Sequence, residues 1–252
     1  MKAPEKKYKA LILDVDGTLI PNQFNGMPSE KVTRAIQKAS NLIPISIATG
    51  RPFRFVSHIL SHLNLSGPSI VSGGAQIVDI KTGNILWQQL LNREDVLPIY
   101  TILDRLKIPC YVDDGHKDIL LSKNYQPTEP FHIYTQAVSE NKTQQAIDEL
   151  KHIKTVSVHK IPSWQAGKLD IMINHTLATK QHGILEIAKI LNIKTHDIIA
   201  VGDGYNDFPL LMACGLKIAM GNAVEELKTI ADYIAPTVDE DGVATIIEKF
   251  VL

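Results

Sequence analysis

Two segments of this 252-residue chain share one arrangement, an apolar run that stops abruptly at aspartate and glycine. Tyr8–Leu13 (YKALIL) leads into Asp14-Val15-Asp16-Gly17-Thr18, and DIIAV (197–201) leads into Gly202-Asp203-Gly204-Tyr205-Asn206-Asp207. A short, near-continuous apolar run bounded by turn residues reads as a strand buried on both faces, the kind found in parallel sheets covered by helices. The intervening segments agree. Pro28-Ser29 opens a helix to about Ser40 with Ser29 as N-cap, Ile43–Ala48 is a strand, and Pro52 starts a helix ending near Leu63. Ser69–Val71 and Gln76–Asp79 are short strands around Gly73-Gly74.

The same rhythm returns later, with helices at Ala178–Leu191, Asp207–Ala213, Ala223–Thr229 and Val243–Phe250 and strands at Leu216–Ala219 and Asp232–Ile234. The expected fold is therefore α/β, a doubly wound, Rossmann-like parallel-sheet core built from residues 1–82 and 176–252. Residues 83–175 have another texture. Strands at Ile85–Leu91, Cys110–Val112, Asp118–Leu121, Thr155–His159 and Leu169–Ile173 are interleaved with helices at Glu94–Leu106 and Glu140–His152, the latter with Ser139 as N-cap candidate. That pattern predicts a smaller inserted α+β domain.

Composition narrows the functional classes. The chain carries 26 basic and 27 acidic side chains, so it lacks the positive excess of a nucleic-acid binder. The lysines at 2, 6, 7 and 9 read as a solvated tail. No apolar run approaches the ~20 residues that span a membrane. The two cysteines, Cys110 and Cys214, form no CxxC and imply neither a disulfide framework nor a zinc site, which points to a reducing cytoplasm. No heptad pattern specifies an oligomer.

The chemistry gathers at strand ends. Asp14 and Asp16 stand two apart where the first strand turns, and Gly17 permits a tight turn that exposes backbone N–H groups to an anion. An Asx turn would explain one such segment. In the second, Asp203 and Asp207 flank a helix start, where compensation of the helix dipole would explain one carboxylate but not a second copy of the strand, acid and glycine arrangement. Up to four carboxylates, hard oxygen donors, suit Mg²⁺. Thr49-Gly50-Arg51 places a hydroxyl and free amides between a strand end and a helix, a phosphate-oxygen site; taken alone, threonine before glycine is as readily a plain turn. Lys180 begins a helix, where its charge opposes the dipole unless an anion lies nearby; taken alone, it is as readily a surface lysine.

With these residues in view, the sequence resembles the haloacid dehalogenase (HAD) phosphatase superfamily, most closely its Cof-like members with an α/β, type IIB, cap. Asp14–Thr18 is similar to the DxDGT motif, Thr49-Gly50-Arg51 to the second motif, Lys180 to the third and Gly202–Asp207 to the GDGxND motif. Ser72-Gly73-Gly74-Ala75, Ala219-Met220-Gly221-Asn222-Ala223 and Asp241-Gly242-Val243 match flanking Cof-type signatures. Gln181 departs from the pattern, because Cof-like sequences usually carry glycine directly after the lysine and here glycine waits until 183.

The resemblance implies a phosphomonoester hydrolase of small phosphorylated metabolites, foremost sugar phosphates. Asp14 would be the nucleophile forming an aspartyl-phosphate, and Asp16 the general acid and base. Mg²⁺ would be held by Asp14, the Asp16 carbonyl and Asp203, with Asp207 adjacent. Thr49, Gly50, Lys180 and Asn206 would bind the phosphate. The insert would close over the site, with Asp113, Asp114, His116, Trp164, Gln165 and Lys168 as candidate substrate contacts, although surface or structural roles suit each of them better. A phosphomutase sharing the intermediate, or a phospho-aspartate signalling module without turnover, are the alternative classes. Neither nucleic acid nor membrane is an expected partner.

Overall fold

The computed structural model describes residues 8–23, 26–65, 67–125, 127–163 and 165–252. The chain enters through β1 (Ala10–Leu13), crosses by α1 (Glu30–Ala39) to β2 (Ile45–Ile47), and continues through α2 (Phe53–Leu63). Ser29 caps α1 as expected, its hydroxyl accepting from Val32 N at 3.1 Å. Then come β3 (Ser69–Val71), β4 (Gln76–Val78) and β5 (Ile85–Gln88). These three form their own antiparallel sheet in the order β3-β4-β5. The sequence pattern puts Ile85 onward in the insert. Ile85–Gln88 pairs with β4, and a parallel bridge from Ala48 to Ile70, with Thr49 N donating to Ile70 O at 3.0 Å, links β3 toward the main sheet.

The insert follows as α3 (Arg93–Arg105), β6 (Cys110–Asp113), β7 (Asp118–Leu120), β8 (His132–Thr135), α4 (Glu140–Leu150), β9 (Val156–Pro162) and β10 (Leu169–His175). Its five strands pair antiparallel in the order β7-β6-β8-β10-β9. Strand alternation divides the two faces of this sheet. Val112, Ile119, Ile133, Ile171 and Ile173 pack with Val96, Ile99, Leu103, Ala146 and Leu150 of the two helices. The opposite face presents Asp113, Asp118, His132, Tyr134, Asp170, Met172 and Asn174, a strongly polar set for a sheet surface. Ser139 sits at the N-cap of α4 but makes no side-chain capping bond.

The chain returns to the core through α5 (Lys180–Ile190), β11 (Ile198–Gly202), α6 (Phe208–Ala213), β12 (Leu216–Ala219), α7 (Glu225–Ile230), β13 (Tyr233–Ile234) and α8 (Gly242–Phe250). The main sheet is parallel throughout, in the order β13-β12-β11-β1-β2. In β1, Leu11 and Leu13 face a layer made with α1, α2 and α8, whereas Ala10 and Ile12 face α5, α6 and α7. Burial on both faces is why these strands lack a polar alternation in the sequence. No helix among the described residues is long and apolar enough to cross a membrane.

Candidate active site

β1 lies between β11 and β2, with Leu13 opposite both Val201 and Ile47. The three strands therefore end side by side, and the residues just beyond them, Asp14, Asp203 and Thr49, meet at one edge. This is where chain direction away from β1 splits, the usual ligand crevice of an open α/β sheet.

Lys180, only 3% exposed, projects into this edge from the start of α5. Its Nζ donates to Asp14 Oδ1 at 2.6 Å and to Asp207 Oδ1 at 2.5 Å. The other oxygen of Asp207 accepts from the amides of Asp203, at 3.0 Å, and Gly204, at 2.9 Å. Asp207 thus fastens the β11 turn to the lysine with both oxygens engaged. Asp203 Oδ1 accepts from Thr18 Oγ1 at 3.0 Å, tying the two acidic turns together. Gly17 has a φ of +79°, and a Cβ there would lie 2.2 Å from Asp203 Oδ2, so the close approach of the turns needs glycine. Asn222 braces the same turn from behind, donating to Gly17 O at 2.7 Å and accepting from Val238 N at 2.9 Å.

Carboxylate oxygens of Asp14, Asp203 and Asp207 all come within 4.8 Å of one another. Three acids share one ammonium. Burial, reinforced by Asp207, pushes the Asp14 carboxyl up to about 7, and burial with Asp14 raises that of Asp203. Excess negative charge on hard oxygen donors at one point fits a small divalent cation. The same electrostatics hold Lys180 firmly protonated, because Asp14 and Asp207 outweigh its desolvation.

Asp16 turns away from this group toward Arg51, whose Nε donates to Asp16 Oδ2 at 2.8 Å. Thr49 is buried below, its Oγ1 accepting from Arg51 N at 3.1 Å. Gly50 and Asn206 line a cavity of about 290 Å³ that opens from Asp14, Asp16 and Asp203 toward the polar face of the insert. The structure thus bonds Lys180 to Asp14 and Asp207, sets Asp203 within 4.8 Å of both acids, and places Asp16, Gly50 and Asn206 around the opening.

The described candidates of the insert take the surface and structural roles that suit them better than substrate contact. Asp113 is 1% exposed and bonded to Arg54 of α2, Asp114 caps the amides of His116 and Lys117, and His116, Gln165 and Lys168 are exposed. None of these five lines the cavity. Trp164 lies outside the described residues. The walls come instead from Asp118, His132, Tyr134, Gln136, Asp170 and Met172, which no local motif marks. Their common signal is alternation along β7, β8 and β10, legible only once the sheet's buried face is known.

The family model for haloacid dehalogenase-like hydrolases matches residues 11–161 and 111–247. A 5-amino-6-(5-phospho-D-ribitylamino)uracil phosphatase, YwtE, of Bacillus subtilis is 26% identical, the match covering 96% of this chain and 97% of that protein. A phosphoglycolate phosphatase of Methanopyrus kandleri is 26% identical over 95% of both. A solved structure of a HAD subclass IIB sugar phosphatase, BT4131, superposes with a TM-score of 0.79 at 24% identity, covering 96% of this chain and 98% of that one.

Proposed function

Since the chain belongs to the haloacid dehalogenase-like hydrolases and is a phosphatase of that family, we propose that it hydrolyses phosphomonoesters of small metabolites, foremost sugar phosphates, through an aspartyl-phosphate on Asp14. The observation carrying this reading is the Lys180 ammonium clamped between Asp14 and Asp207 beside Asp203. A carboxylate approaches a phosphate dianion only where positive charge screens both.

Asp14, the carbonyl of Asp16 and Asp203 would hold Mg²⁺, with Asp207 positioning the turn. Bound there, the ion supplies charge neutralisation for the phosphoryl oxygens. Lys180 adds a fixed, water-poor positive charge from the other side. One carboxylate oxygen of Asp14 attacks phosphorus, and the ester oxygen leaves with a proton from Asp16. Asp16 then takes a proton from the water that attacks the phosphoaspartate, restoring Asp14 and releasing inorganic phosphate. Thr49, Gly50 and Asn206 would hold the transferred oxygens in line. The insert acts as a cap over the leaving group. Buried unpaired thiols at Cys110 and Cys214 suit a reducing cytoplasm.

The test is phosphate release from sugar phosphates and p-nitrophenyl phosphate, with Mg²⁺ or with EDTA, by wild type and Asp14→Asn. Metal-dependent release that disappears in a folded Asp14→Asn protein is the expected result. Release that survives the substitution overturns the assignment of the nucleophile.

A further inference from the structure

The cavity joins two surfaces of different chemistry. Its floor is the catalytic edge. Its roof is the polar face of the cap sheet, where alternation along β7, β8 and β10 turns Asp118, His132, Tyr134 and Asp170 inward.

The charges on this roof do not balance. Arg54, reaching up from the core, lies 2.8 Å from Asp113 Oδ1 and 2.9 Å from Asp118 Oδ2. One guanidinium facing two carboxylates leaves a negative charge. His132 does not offset it, because burial lowers its pKa and keeps the ring neutral. Asp170 accepts from Ala137 N at 2.7 Å and has no cationic partner among the described residues. Burial raises the Asp170 carboxyl, and an anion brought beside it would raise it further. The one arginine lining the cavity, Arg51, is engaged by Asp16, and no lysine among the described residues lines it. An anionic leaving group therefore meets a roof of net negative charge, in which Arg54 is shared by Asp113 and Asp118 and Asp170 stands without a cation among the described residues. A hydroxyl or amine meets acceptors, since ionised carboxylates only accept.

We infer that Asp118 and Asp170 select the leaving group, admitting a neutral or amine-bearing polyhydroxylated group and rejecting one with a second phosphate or a carboxylate. The inference rests on the phosphatase reading above and adds a charge rule to it. The cavity, about 290 Å³, is just under the ~300–1,000 Å³ of small-molecule sites, a size that suits a leaving group of roughly a single sugar.

The experiment compares kcat/KM for ribose 5-phosphate and glucosamine 6-phosphate with that for fructose 1,6-bisphosphate and phosphoglycolate. p-Nitrophenyl phosphate serves as a control for the chemistry. Wild type should favour the first pair by at least about tenfold. In Asp118→Asn/Asp170→Asn the ratio between the pairs should shrink by about tenfold, and a loss common to all substrates cancels in that ratio. Asparagine keeps an acceptor for Ala137 N, so the change is mainly one of charge. Equal wild-type rates on both pairs overturn the inference while leaving the phosphatase reading intact. An unchanged ratio in the double variant overturns the assignment to these residues. Should the double variant not fold, the wild-type ratio decides. No release from any substrate, the control included, overturns the phosphatase reading and this rule with it.

Discussion

Arg51 holds Asp16 by two parallel contacts, Nε to Oδ2 at 2.8 Å and Nη2 to Oδ1, while the same Nη2 reaches Gln23 O at 3.1 Å. A bidentate guanidinium fixes the plane of a carboxylate as well as its position. Arg51 is 8% exposed and its amide is itself tied to Thr49, so the orientation of the proposed acid is set by the second strand of the core. A general acid matters most when the leaving oxygen is a poor one. Asp16→Asn should therefore lower turnover of a sugar phosphate by about 10²–10⁴-fold and of p-nitrophenyl phosphate far less. Arg51→Ala should show the same selective pattern at smaller size, and Arg51→Lys should recover part of it. Equal losses on both esters would show that Arg51 acts on binding, not on protonation.

Gly17 and Asp203 make a second test, because the tight turn and the metal site share one contact. Gly17→Ala puts a methyl where Asp203 Oδ2 now lies and forces a positive φ on alanine. Asp203 must move. The expected result is a rise of roughly tenfold or more in the Mg²⁺ concentration for half-maximal activity, on the scale of a disturbed metal-orienting contact. Metal titration of activity measures it, and an unchanged Mg²⁺ requirement would remove Asp203 from the ligand set.

Arg54 links the core to the cap, and the pair is unequal in burial. Asp113 is 1% exposed in its side chain, with Oδ1 also accepting from Gly115 N at 2.9 Å. Arg54→Met would leave that carboxylate without its cation, which costs about 3–5 kcal/mol for a buried pair broken on one side. Denaturant unfolding should show this loss, and Arg54→Met/Asp113→Asn should regain a good part of it. A change below ~1 kcal/mol in the single variant would mean that the pair behaves as a surface one.

These sites differ in how far the sequence reveals them. The acidic turns are conspicuous because β1 and β11 are buried on both faces and so stand out as unbroken apolar runs ending in aspartate. Their side-by-side placement follows from the parallel topology. The sheet made by β3, β4 and β5 is hidden, since three-residue strands around two glycines carry the same local signal whether they pair parallel or antiparallel. β8 escapes for another reason: His132–Thr135 exposes a polar face toward the site, so it lacks the apolar-in, solvent-out contrast of a surface strand. Asp113 in the DDGHKD segment looks solvated from its neighbours, yet it is buried between β7 and β8 and bonded to Arg54, 59 positions away. Charge partners at that separation leave no local trace.

His159 provides a pH test away from the catalytic carboxylates. Burial, with Lys180 as a lesser contributor, lowers its pKa to about 4, and Ser157 Oγ lies 2.8 Å from its Nε2. The folded state therefore disfavours the imidazolium. The sign follows from linkage: above 6.5 the ring is neutral folded and unfolded, and between 6.5 and about 4 the unfolded chain binds the proton more readily, so this part of the stability is lost as pH falls. Carboxylates titrate in part of the same window, so the comparison must be between proteins. His159→Gln should show a shallower decline of melting temperature from pH 7 to pH 4.5 than wild type. Parallel curves would place the ring in water.

Gln181 and Gly183 settle what the departure after Lys180 means. Gln181 is exposed, so its side chain lies off the buried edge that Lys180 enters. Gly183 faces the sheet instead, and a Cβ there would lie 2.6 Å from Ile70 Cδ1. Close packing of the first turn of α5 thus needs a glycine two positions later than the usual place. Gln181→Gly should leave kcat/KM within about twofold and cost up to ~1 kcal/mol of stability from helix propensity alone. Gly183→Ala should do the opposite in kind: overpacking against Ile70 costs about 1–3 kcal/mol and tilts the turn that aims Lys180. Because the ammonium contacts Asp14 and Asp207 at 2.6 and 2.5 Å, a shift of a few tenths of an ångström should reach activity. Kinetics and thermal melts of the two variants separate the cases, and a loss of activity in Gln181→Gly without a loss in Gly183→Ala would reverse the assignment.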